Sequence, residues 1–158
     1  MRQVAGTLRL DLAQYRAMAA FAQFAADLDK ATQQQLHRGS RLVEILKQGQ
    51  FAPMPVEHQV AIIWAGANGY LDDIPKEDVR RFEAGFHKFL EDQYGQLLHA
   101  MASKLALDDE ITGLLAAASK DFKAKFLAGS ATVPASLDFT RNELVKKPAP
   151  AAEPVAVG

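Results

Sequence analysis

Apolar positions along the chain recur mostly at spacings of three and four, the repeat that gathers side chains on one face of a helix. Leu8, Leu12, Tyr15, Ala19, Ala22 and Ala26 make one such line, widened by Met18 and Phe21, and predict a first helix from about Thr7 to about Ala26. Alanine-rich composition favours helix there as well. A second helix is expected from Asp29 or Lys30, with Asp29 able to accept from free amides at the helix start. Thr32 and Gln35 stand at capping-box spacing and offer a slightly later start. Leu36, Val43 and Leu46 form its apolar line, and Gly39 lies inside it, where a close helix crossing or a kink would account for a glycine.

Pro53 and Pro55 punctuate the next connector, and Pro55 suits a first helical position. Val60, Ile63, Trp64 and Ala67 share a face, and "ANGY" ends the third helix. Pro75, followed by Glu77 and Asp78, opens a fourth, carried by Val79, Phe82, Phe86, Phe89 and Leu90. Leu97 and Met101 would continue it if Gly85 and Gly95 do not interrupt it. After "LALDDE", Ile111, Leu114, Leu115, Ala118, Phe122 and Phe126 predict a last helix, ended by "AGSATVPAS", with Lys120, Lys123 and Lys125 near its C-terminal end. No alternating pattern lasts more than a few residues. The predicted fold class is all-α, a bundle of five or more helices. Residues 1–128 form the helical domain, and 129–158 an extension. The alanine- and proline-rich "KKPAPAAEPVAVG" reads as a disordered or extended tail, and "SLDFTRNELV" before it reads as mostly unfolded, with a short helical turn at Thr140 and Glu143 or a docking motif as the sharper alternative.

Composition narrows the chemistry. The chain has 158 residues, net charge −1 and no cysteine. Disulfides, thiolate metal sites and thiol nucleophiles are thereby excluded, and a general electrostatic grip on nucleic acid is disfavoured. No apolar run reaches membrane-spanning length, and Arg2, Arg9 and Asp11 interrupt any signal-peptide core. No phosphate-cradling glycine loop is present; "AGANGY" follows a helix rather than a strand. His37, His58, His87 and His99 lack the spacing that sets two imidazoles on one helix face. The acid pairs Asp27 with Asp29, Asp72 with Asp73, and Asp108 with Asp109 all fall at predicted helix starts, where free amides and the helix dipole stabilise them. Trp64 reads as core, and Arg80 with Arg81 as a small basic spot on a solvated face. The residues alone support a helical interaction domain with no catalytic and no metal residues.

The stretches "QVAGTLRLDLAQYR", "AAFAQFAADLDKATQQQLHRG" and "LVEILKQGQFAPMPVEHQVAIIWAGANGYLDDIP" resemble the C-terminal helical domain of the alpha subunit of the rotary, proton-translocating ATP synthase. The likeness is dense from Gln3 to Pro75 and looser to about Leu127. It implies a noncatalytic module, a fragment or a truncated gene product, packed in the alpha/beta ring at the inner, cytoplasmic face of an energy-transducing membrane. Its implied partners are the beta and gamma subunits. No cofactor is implied for this chain; in the resembled subunit ATP or ADP with magnesium is held by another domain. The loop Asp27, Leu28 and Asp29 stands where the family turns toward the rotor. The likeness has departures: Ala17 follows Gln14-Tyr15-Arg16 where the family commonly has glutamate, and His58 replaces a usual acid. The rival expectation is a free-standing helical adaptor docking a protein partner. Isolated from its ring, the chain is expected to self-associate.

Overall fold

The computed structural model describes residues 1–22, 29–49 and 51–129. Within them the chain forms six α-helices and one 3₁₀ turn, with no strand among the described residues. The helices are α1 (Arg2–Ala22), α2 (Lys30–Ile45), α3 (Val56–Ala67), α4 (Val79–Gln93), α5 (Gly95–Lys104) and α6 (Asp109–Ala128). The all-α reading is met, and the extension from residue 130 onward lies outside the described residues.

α3 is the axis of the bundle, touching α1, α2, α4, α5 and α6. Val60, Ala61, Ile62, Ile63 and Ala65 are all buried, because a helix enclosed by neighbours must be apolar nearly all round. The connector residue Pro55 precedes α3 as its N-cap rather than as its first residue. α3 ends in a Schellman turn: Tyr70 N–H donates to Ala65 O and Gly69 N–H to Gly66 O. Gly69 has φ +81, a conformation glycine takes without steric cost.

α1 begins at Arg2, about a turn ahead of the expected Thr7, and is described to Ala22. Its buried residues are Val4 and Leu8, while Phe21, expected on the inner stripe, is 74% exposed. In α2 the buried line is Gly39, Leu42 and Ile45 rather than Leu36, Val43 and Leu46; Leu46 is exposed. The line is rotated because α1 crosses at Gly39. A Cβ there would sit 2.4 Å from the Tyr15 ring, so close crossing accounts for the glycine.

Val79, Phe82, Phe86, Phe89 and Leu90 are buried as predicted. Pro75 leads into the 3₁₀ turn Lys76–Asp78, and α4 begins one turn later. Gly85 does not break α4; the ring of Phe122 lies where its side chain would be, 2.8 Å from an added Cβ. The interruption falls at Tyr94, so Leu97 and Met101 belong to the separate helix α5. Phe122 on α6 stands among Phe82, Phe86, Phe89 and Phe126, with ring centroids 4.9, 5.6, 5.4 and 5.9 Å away. These tilted and edge-on contacts are the geometry aromatic quadrupoles favour. Leu114, expected on this inner face, is exposed.

Candidate functional site: the turn between α1 and α2

Of the predicted loop, Asp27 and Leu28 lie outside the described residues; Asp29 is described. Asp29 is the N-cap of α2, its backbone extended at φ −64, ψ 155. Its Oδ2 accepts from Thr32 N–H at 3.3 Å, and its Oδ1 from the Thr32 hydroxyl. Thr32 is therefore a donor to the cap, and the later start at Thr32 with Gln35 is not taken. The hydrogen bonds from Thr32, hydroxyl first and amide second, hold the Asp29 carboxyl below its usual range. A solvent-exposed carboxylate thus stays ionised at neutral pH at the start of α2.

The other acid pairs behave differently. Asp108 caps α6, accepting from Ile111 N–H at 2.8 Å, and Asp109 opens the helix, as predicted. Asp72 and Asp73 do not stand at a helix start. Asp72 takes a two-pronged contact from Arg38, Nη2 to Oδ2 at 2.5 Å and Nε to Oδ1 at 3.1 Å. Asp73 pairs with Lys123 Nζ at 2.5 Å. With Arg41 Nε on the Ile74 carbonyl at 2.9 Å, these contacts tie the turn after α3 to α2 and α6.

Sequence spacing does not reveal one cluster. His58 on α3 and His87 on α4 meet edge-on with ring centroids 4.9 Å apart. His58 Nε2 lies 3.3 Å from Glu91 Oε1 without the alignment of a hydrogen bond. Burial, reinforced by His58, pulls the His87 imidazole down to about 4, against a hydrogen bond from the ring to the His58 main chain. One turn before it, burial lifts the Glu83 carboxyl to about 7, opposed by Arg80. Among the described residues no three His, Cys, Asp or Glu side chains are grouped to hold a metal ion. His37 and His99 are exposed.

Arg80 donates to the Lys47 carbonyl, and Arg81 lies 5.0 Å over the Phe126 ring, so neither belongs to a merely solvated basic spot. Trp64 is partly buried and stacks on Tyr70 at 5.8 Å. No helix of the described residues is long and apolar enough to cross a membrane. Among its described residues the site offers an ionised cap at the start of α2. The family model described as ATP synthase alpha/beta chain, C terminal domain, matches residues 1–122.

Proposed function

The chain belongs to this ATP synthase alpha/beta C-terminal domain family, and on that premise we propose that it is the helical domain of the alpha rather than the beta subunit. Its role is mechanical: it packs against beta subunits in the ring and turns the Asp27–Asp29 loop toward the gamma rotor during proton-driven ATP synthesis. Nucleotide and magnesium are handled in this reading by other parts of the subunit. The complex works at the inner face of an energy-transducing membrane.

The observation that carries the reading is Asp29. Its carboxylate stays charged and exposed while fixing the start of α2, so capping and contact fall to the same residue. Complementary charge on a rotor surface would set the geometry of contact more than its strength. Exposed Phe21, Phe51 and Leu105 fit burial against neighbouring subunits. The likeness of the "AADLDKATQ" stretch to the alpha subunit supports alpha over beta.

The test replaces Asp27 and Asp29 together by asparagine in a complete subunit within the assembled complex. Asparagine keeps the capping ability, so helix content stays unchanged. Fewer ATP molecules made per proton translocated would support the contact; unchanged coupling would remove it. Failure of the chain to co-purify with beta and gamma subunits would favour the adaptor reading instead.

A further inference from the structure

Residues 52–55 run along a cleft of about 270 Å³, with His58, His87 and Glu91 opposite them. This strap has few fastenings. Gln59 Nε2 donates to the Met54 carbonyl at 2.7 Å, and Gln59 N–H to the Pro55 carbonyl at 3.1 Å. Ala52 N–H donates to the Gly49 carbonyl at 3.3 Å, and the two imidazoles line the facing wall of the cleft. His58 is 8% exposed, and the Nε2 atoms of both rings are buried without a hydrogen-bond partner. Two buried, unpartnered nitrogens on adjoining rings leave little to stabilise an added charge on His87.

We propose that His58 and His87 form an acid-sensitive latch. Neutral, the rings pack edge-on and hold the first turn of α3, into which residues 52–55 lead, against α4. Doubly protonated, they repel each other and the strap opens. The device depends only on this cluster, not on which subunit the domain belongs to.

The surrounding charges decide the sign. Glu91 can balance one imidazolium, on His58. A proton on His87 then faces that first cation 4.9 Å away, measured between ring centroids. On α4, Glu83 stands one turn before His87, and its raised carboxyl is partly protonated at neutral pH and fully so in acid, so it supplies no counter-charge there. Arg80, a turn earlier, adds positive charge and is engaged with the Lys47 carbonyl. At the end of α2, Glu44 is taken by Lys47 at 2.8 Å. Glu57 shares the first turn of α3 and makes no ion pair among the described residues. Among the described residues the 3₁₀ turn, α5 and α6 bring no ion pair or hydrogen bond to either ring. His87 therefore binds its proton more readily when the strap is open, and the closed form loses ground as pH falls through the range between 6.5 and about 4.

Amide hydrogen exchange on the full chain at pH 7 and pH 5, corrected for intrinsic rates, tests this. Protection at Gln59 and Val60 should fall about 20-fold between the two, the ratio set by a proton that binds near 6.5 when open and near 4 when closed. Amides in the second half of α6 should hold. His87→Gln should keep protection at Gln59 flat across the same range, and His58→Gln, which removes the facing ring but not the burial of His87, should shrink the pH response without abolishing it. In the unaltered chain, the carbon-bound ring protons of His87 should titrate well below 6.5. A His87 midpoint at or above 6.5, an equal loss of protection in α6, or an undiminished pH response in the folded glutamine variants would overturn the latch.

Discussion

The ring of Tyr15 occupies the space in which a side chain at Gly39 would begin: an added Cβ would stand 2.4 Å from Cδ2 and 2.5 Å from Cβ and Cγ of the tyrosine. Three atoms are involved, one of them next to the α1 backbone, so a rotamer change cannot relieve the contact. Gly39→Ala should gain up to about 1 kcal/mol in helix propensity and lose more through overpacking, typically about 1–3 kcal/mol. A net destabilisation in urea unfolding is expected. Tyr15→Ala combined with Gly39→Ala should cost less than the two single changes added together.

Leu105 ends α5 in the left-handed conformation, φ 53, with its side chain 82% exposed. The position needs a backbone that glycine adopts freely, and its leucine buries little in return. Leu105→Gly should raise stability by about 1 kcal/mol. An unchanged or lowered urea midpoint would show that the leucine does packing work that its exposure hides.

Phe82 is fully buried between Phe86, Phe122 and Phe126. Phe82→Ala should cost about 3–5 kcal/mol, the range for removing a buried aromatic ring. Phe51→Ala, at a side chain 92% exposed, should change the melting of the isolated chain little. A large loss from Phe51→Ala would place that ring in a contact within the chain.

Glu83 has a definite pH signature. Its carboxyl is raised from 4.5 to about 7, so the folded chain binds the proton more tightly than the unfolded chain. The stability this contributes is present below 4.5 and is lost as pH rises through 7. The slope is at most about 1.4 kcal/mol per pH unit for one proton, and less here because the group is not wholly shielded from solvent. Glu83→Gln should therefore help the chain at pH 8 relative to its effect at pH 4.5. Urea midpoints at the two pH values check this; an effect of the same size at both would show an unshifted carboxyl.

Arg38 joins α2 to the turn after α3 through Asp72. Both side chains are partly exposed, so the pair is worth about 0.5–1 kcal/mol. Arg38→Lys keeps the charge and loses the fork that matches two carboxylate oxygens. It should cost most of that amount, read as a shift in urea midpoint at low salt.

Much of the chain was legible because its signals are local. Asp29 and Asp108 cap the helices they precede, Gly69 closes α3, and the phenylalanines of α4 face inward on a plain 3.6-residue period. The misses come from tertiary packing. In α2 the apolar line through Leu36 and Val43 competes with one through Leu42 and Ile45, and only the crossing of α1 at Gly39 selects between them. Gly85 and Gly95 look alike in sequence, yet one faces Phe122 and the other follows the break at Tyr94. Asp72 looks like a helix-start acid in sequence because its partner, Arg38, is 34 positions away. His58 and His87 obey no ligand spacing because they come from different helices, so nothing short of the fold brings them together.

The position of α3 bears on how the chain is made. Its apolar surface is closed partly by α1 and α2, which precede it, and partly by α4, α5 and α6, which follow it. Gln3 near the N-terminus exchanges two hydrogen bonds with the main chain of Leu107, 104 positions later. A growing chain halted on the ribosome before α6 emerges would therefore carry an open greasy groove along α3. Such a chain should be held by folding helpers or attacked by proteases until α6 arrives to close it.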